Sequence, residues 1–330
     1  MRISIRYHEI FGQSFVPNLR THVPHERGYY AVVTNSMGIR SSREYDLHRP
    51  AGMRRILVFG DSFTAADGVN NEERFTDIME KTEKSLEVIN FGLPGSGTDQ
   101  QLLMCEHFGH RFAGDVLLLC ILVENINRIA SGYRPVIEGS TGHVVAVPKP
   151  YFTLEDGELH LHHVPVPRER PSLSEAGKEI LANTDFSGKF PKLRDFVNKH
   201  FFPLKSTLIK LVRFNPYPQY SSSQHPSWKL MRALLQRYVN KAKTREVVIV
   251  PLPTYHYIEG LSKPIYWKRF EEFGREHPNA HIINVLPYFQ KLKPAERRNC
   301  RFKRDIHYTP LAHRVVANAL INELGIRKLI

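Results

Sequence analysis

The sequence predicts an α/β fold with a parallel sheet of about five strands, on three observations. First, short apolar, β-branched runs occupy residues 55–59, 87–91, 115–123, 246–251 and 280–285. Most lack the alternation of a half-exposed strand, as expected where both faces of a parallel sheet are covered. Second, the first three runs end in Gly60, in the Gly92 loop and at Asn125, which punctuate the strands at one edge. Third, the chain closes on a helical pattern. Thr309 and Pro310 read as its cap and first residue, with Leu311, Val315, Val316, Ala319, Leu320 and Leu324 on one face.

The elements are unevenly spread. Residues 1–52 form a lead-in rich in Pro and His that packs on the core, with a strand-like piece at 29–33. The compact α/β signal covers 53–130 and returns from 244 to 330, so that 53–330 reads as one domain interrupted by an insertion at about 131–225. The insertion opens on hairpin material: strand-like runs at 143–148 and 151–154 precede Asp156-Gly157, a hairpin turn signal, and 159–164 returns as the partner strand. Pro203, Pro216, Pro218 and Pro226 with Ser221-Ser222-Ser223 mark a loop-rich passage before a helix at 228–240. An insertion over a sheet edge is placed to shape a substrate cleft.

Chemistry concentrates at the strand ends. In Phe59-Gly60-Asp61-Ser62-Phe63, Ser62 leaves the carboxyl end of the first strand, where open α/β sheets collect ligands. It is a candidate nucleophile or, equally, a helix cap, because an alcohol of ordinary pKa needs a base to attack anything. A base is available in Arg304-Asp305-Ile306-His307-Tyr308, on the loop feeding the last helix, where the carboxylate of Asp305 can bond the His307 ring and fix its tautomer. Surface polarity before a helix is the plainer reading of that pair. Gly92, Gly95 and Gly97 make a tight loop whose amides can face a ligand, and Asn125 or Asn127 can donate to an oxyanion.

Taken in order, Gly60-Asp61-Ser62-Phe63, Asn90 to Gly95, Asn125 and Asp305-Ile306-His307 resemble the four blocks of the SGNH/GDSL hydrolase superfamily, across residues 56–320. The resemblance implies a three-layer α/β/α, flavodoxin-like fold. It makes Ser62 the nucleophile, His307 the general base and Asp305 its orienting group. The oxyanion hole would comprise the N–H groups of Ser62 and Gly95 and the side chain of Asn125, with no metal or organic cofactor. Two departures stand out. The spacing Asp305-x-His307 is one residue shorter than the usual Asp-x-x-His and is similar to polysaccharide-modifying branches; the third block reads Val123-Glu124-Asn125-Ile126 rather than Gly-x-Asn-Asp, so Asn127 rivals Asn125. The lead-in Asn35-Ser36-Met37-Gly38-Ile39-Arg40 is similar to that of bacterial exopolysaccharide-linked members, although its residue types also suit an ordinary turn, and Arg40 is left out of the catalytic set.

The expected function is therefore hydrolysis of an O-acyl, by expectation O-acetyl, ester on a bacterial saccharide. The alternatives are an O-acyltransferase using the same site and a catalytically silent carbohydrate-binding or assembly protein. Composition narrows the partners. Lys and Arg exceed Asp and Glu by 46 to 33, a net +13 that suits a polyanionic glycan; no nucleic-acid motif accompanies it, and Arg297, Arg298, Arg301, Lys303 and Arg304 read as a solvated face. No run reaches membrane-span length and Met1–Glu9 carries no apolar signal core, so the expectation is a cytoplasmic protein. Cys105, Cys120 and Cys300 are too few for a disulfide framework. Gly92-x-x-Gly95-x-Gly97 is not the dinucleotide fingerprint; His160 and His162 share a strand face without a third ligand; His256 reads as packing.

Overall fold

A computed structural model describes residues 4–137, 144–169, 215–242 and 244–330. In chain order the strands are β1 (Ile5–His8), β2 (Gly12–Phe15), β3 (Arg20–His25), β4 (Gly28–Val33), β5 (Arg54–Gly60), β6 (Leu86–Asn90) and β7 (Val116–Leu122). They continue as β8 (Tyr133–Ile137), β9 (Val144–Pro148), β10 (Tyr151–Glu155), β11 (Glu158–His162), β12 (Glu246–Leu252) and β13 (Ala280–Ile282). The central sheet has the order β13-β12-β7-β5-β6, parallel throughout. Counted along the sheet's own strands this is 2-1-3-4-5, the doubly wound order whose switch point falls between the first and third strands, here β5 and β7.

Apolar runs without alternation form these strands because both faces are covered: every residue of β7 is buried, as are the last six of β5. Two helix pairs do the covering, Phe75–Thr82 with Pro310–Ile326 and Thr98–Phe108 with Pro226–Lys241, giving three layers. The fifth strand is shorter than the run at 280–285 suggested, for it pairs on one side only and stops at Ile282. The last helix begins at Pro310 with Thr309 as N-cap, yet the Thr309 hydroxyl donates to the carbonyl of Asn299 rather than capping the helix. Its buried face is also rotated from the one expected: Ala312, His313, Val316, Ala317, Ala319, Leu320 and Leu324 are buried, whereas Leu311 and Val315 are partly so.

The lead-in supplies two hairpins, β1–β2 and β3–β4. The segment before β5 is anchored by Arg55, whose fully buried guanidinium pairs with Glu87 at 2.5 Å and donates to the carbonyls of Leu47 and His48. In the 131–225 insertion, Asp156 and Gly157 take positive φ angles of 49° and 87° between β10 and β11, the twist a two-residue turn needs. The run at 144–148 pairs instead with β8, a strand the sequence did not announce because Pro135 interrupts it. A buried ion pair between Lys149 and Asp99 ties this region to the helix Thr98–Phe108. The expected helix at 228–240 is present as Pro226–Lys241; His143 and the Pro203 portion of the insertion lie outside the described residues.

Candidate active site

The site forms outside the carboxyl ends of β5 and β7. After β5 the chain turns at Gly60, where a Cβ would stand 2.0 Å from Thr64 Oγ1, so no other residue fits that approach. Asp61 is the N-cap of the short helix Ser62–Ala65, accepting from the N–H of Phe63 at 3.0 Å. This decides what the sequence left open: the cap is Asp61, and the Ser62 hydroxyl is free to go elsewhere. It lies 2.7 Å from His307 Nε2, while His307 Nδ1 lies 2.5 Å from Asp305 Oδ1, which also accepts the backbone N–H of His307 at 3.1 Å. Ser62 and His307 are thus brought together from 245 positions apart.

Electrostatics polarise this series. Burial opposes the charged form of Asp305, but the hydrogen bonds and charge of His307, with His25 adding to them, hold its carboxyl well below the usual carboxylate range. For His307, burial works against the imidazolium and is outweighed by the bond to Asp305 and the charges of Asp67, Asp305 and Asp61, so its pKa is raised above 6.5. Asp61 is fully buried, which pushes its carboxyl up against the pull of Arg128, whose Nη1 stands 3.0 Å from Asp61 Oδ2 and also donates to the Ser96 carbonyl.

The oxyanion candidates follow the carboxyl ends of three adjacent strands, β6, β5 and β7. Leu93 donates to the Gly60 carbonyl at 2.9 Å, drawing the glycine loop beside the β5 turn. Among the described residues neither the Ser62 nor the Gly95 N–H donates to a backbone carbonyl. Gly95 has a φ of +74°, and a Cβ there would meet Arg134 Nη1 at 2.1 Å. Asn125 is fully buried with both amide atoms unpartnered among the described residues, whereas the Asn127 side-chain oxygen accepts from Gln219 Nε2 at 2.8 Å.

Several neighbours escaped the sequence reading. Gln13 and Arg134 both donate to the Pro94 carbonyl, and Arg134 bonds Gln13 Oε1 at 2.6 Å. A trans peptide sets the N–H opposite the C=O, so these donors fix the direction of the Gly95 N–H. His25 and Glu26, at the β3 end of the second hairpin, reach the Asp305 loop. Nothing local marks these residues, since hairpin positions look like any exposed loop; only Arg128, three residues after Asn125 on one helical turn, carried a spacing signal.

Other sequence candidates fall outside the series. Asn35 accepts the N–H groups of Met37 and Ile39 in a turn, with Gly38 at a φ of +74°. Arg40 is buried and donates to the carbonyls of Ala31, Ala65, Ala66 and Val69, fastening the segment that follows Ser62. His256 packs at a tilt against Tyr255, and His162 bonds Thr153 and stacks on Tyr151. Among the described residues no group of three or more His, Cys, Asp or Glu is placed to hold a metal ion, and no helix is long and apolar enough to cross a membrane. All three cysteines are buried free thiols; burial pushes Cys105 and Cys300 up to about 12, far from thiolate chemistry.

The sheet order is that of a doubly wound α/β fold, and the site sets a serine, a histidine and an aspartate in hydrogen-bonded series. No family model and no curated protein matches the chain. Solved structures do resemble it in shape. A member of the lipolytic G-D-S-L family from Veillonella parvula is 11% identical, with a TM-score of 0.44, over 82% of this chain and 97% of its own. A lipase/acylhydrolase from Enterococcus faecalis is 13% identical, with a TM-score of 0.43, over 83% and 97%. A catalytic mutant of an acetylxylan esterase from Geobacillus stearothermophilus is 12% identical, with a TM-score of 0.43, over 84% and 97%. Likenesses this distant say nothing about substrate, and the chemical reading rests on the site.

Proposed function

We propose that this chain is a serine esterase that removes an O-acyl group, acetyl in the first instance, from a saccharide. The observation that carries it is the continuous series from Ser62 Oγ through His307 to Asp305. His307 takes the Ser62 proton as Oγ attacks the ester carbonyl, and Asp305 stabilises the imidazolium that forms. The tetrahedral oxyanion is received by the N–H groups of Ser62 and Gly95 and by the Asn125 amide. Its collapse expels the sugar alkoxide, which takes the proton from His307. Water, deprotonated by the same imidazole, then attacks the acyl-enzyme and releases the acid and Ser62. Asn125 supports this reading physically: a buried amide without a partner is costly, and an incoming oxyanion would satisfy its donor.

The saccharide half rests on the Asp305-x-His307 spacing and the 35–40 lead-in described above. Net charge +13 adds a preference for acidic glycans. Two measurements test the proposal. Ser62→Ala should abolish both hydrolysis of a short acyl ester and labelling by a serine-directed fluorophosphonate, and retention of either activity overturns the assignment. Acetate release from a panel of acetylated polysaccharides tests the substrate class; turnover of simple esters with none of the polysaccharides would refute the saccharide.

A further inference from the structure

The Asp305 carboxylate has two oxygens, and His307 uses one. Oδ1 takes both the ring and the backbone N–H of His307. Oδ2 faces His25 Nε2 at 3.4 Å. The His25 side chain is 8% exposed, and apart from this 3.4 Å ion-pair contact neither ring nitrogen has a polar partner among the described residues. The ring is wedged edge-to-face against Phe302, with centroids 4.4 Å apart, and against Tyr30 at 5.9 Å. Gly68 clears its space, since a Cβ there would lie 3.0 Å from His25 Nε2.

The next residue grips the same loop. The two carboxylate oxygens of Glu26 accept the backbone N–H groups of Lys303 at 2.6 Å and Arg304 at 2.7 Å. Consecutive residues at the end of β3 thus hold three consecutive residues, Lys303 to Asp305, some 277 positions away. The loop has little structure of its own beyond the bridge between Arg301 and Tyr308, and the Asp305 side chain is 32% exposed. A carboxylate bound through one oxygen can swing about its Cβ–Cγ bond; one bound through both cannot.

We propose that His25 is a positioning residue of the triad: its Nε2–H holds the Asp305 oxygen that His307 leaves free, so the second lead-in hairpin is part of the active site. His25 touches no reacting atom and acts only through Asp305. The inference rests on the esterase reading for its kinetic consequence, but its geometric content stands apart from that reading.

Two variants separate donor from packing. His25→Phe keeps the ring against Phe302 and Tyr30 and removes the N–H; His25→Gln keeps a donor of similar reach. His25→Phe should lower kcat and the fluorophosphonate labelling rate about tenfold with KM unchanged, the scale of one hydrogen bond to a charged group, and His25→Gln should restore most of the loss. Should His25→Phe fail to fold, His25→Asn, one methylene shorter than Gln, takes its place with the same expected loss. A second readout needs no turnover. The downfield proton resonance of His307 Nδ1–H should broaden or vanish in His25→Phe and persist in His25→Gln. A folded His25→Phe with wild-type kinetics and an unchanged resonance overturns the proposal, as does equal loss in the Phe and Gln variants. Absence of hydrolysis and labelling in the wild type would refute the esterase reading instead, and the resonance alone would then decide the role of His25.

Discussion

The two halves of the site are built differently. Ser62 and Asn125 follow directly from neighbouring parallel strands whose residues are buried, and their positions are inherited from the β5–β7 pairing. Asp305 and His307 stand on an irregular loop that is held from outside, by His25 and Glu26 on a hairpin and by the helix that Thr309 opens. The Gly95 loop shares this dependence, since the Pro94 carbonyl is gripped by Gln13 from β2 and Arg134 from β8. A sheet can place Ser62, the proposed nucleophile, by itself; His307 and the Gly95 N–H, the proposed base and oxyanion donor, need braces from segments outside the α/β core.

Breaking the shared chemistry should cost most. His307→Ala removes the base and should lower kcat by about 10⁴-fold or more on a short acyl ester; a residual rate within tenfold of wild type would mean that another group takes the proton. Next comes the sheet-borne half. Asn125→Ala should lower kcat by about 10²–10³-fold, the cost of one oxyanion donor, while Asn127→Ala, whose side-chain oxygen is turned to Gln219, should cost far less. The reverse ranking would transfer the role to Asn127.

The braces should matter less and separately. Arg134→Met frees the Pro94 carbonyl of its charged donor and should reduce kcat about three- to tenfold with little change in KM; a selective rise in KM would instead make Arg134 a substrate contact. The pH dependence sharpens the picture of the loop. Catalysis needs neutral His307, whose pKa is raised above 6.5, so the acid limb of kcat/KM should fall above pH 6.5. Asp305→Asn removes the partner that raises it and should move that limb down, along with a large loss of rate.

The helix behind the loop should affect stability and leave the rate nearly unchanged. His313 is fully buried, both ring nitrogens are unpartnered among the described residues, and burial together with Arg40, Arg74 and His307 lowers its pKa to about 3. The unfolded chain therefore binds a proton below pH 6.5 that the folded chain refuses. Stability from this group is intact above pH 6.5 and declines as pH falls toward 3, by about 1.4 kcal/mol per unit at most. His313→Phe, beside Phe75 and Tyr308, should flatten that slope in denaturant titrations at pH 4–7; an unchanged slope would assign it to other groups.

Much of this was legible in the chain. Buried parallel strands announce themselves because double burial demands unbroken apolar sequence, and Gly60, Gly95 and Pro310 mark turns and a helix start through backbone constraints that act locally. The sequence therefore determined the strands, their polar ends and the candidates Ser62, Asn125, Asp305 and His307. Its own ambiguities were those of short-range pattern: whether Ser62 is a nucleophile or a helix cap, and whether Asn125 or Asn127 is the amide donor; the face it assigned to the last helix was rotated from the buried one. What bears on them is tertiary, because each depends on a partner far along the chain: His307 for Ser62, Gln219 for Asn127, Phe75 for His313. It alone brought His25, Glu26, Gln13 and Arg134 to the site. A brace is defined by the group it holds, and no periodicity or turn signal records a contact across 277 residues.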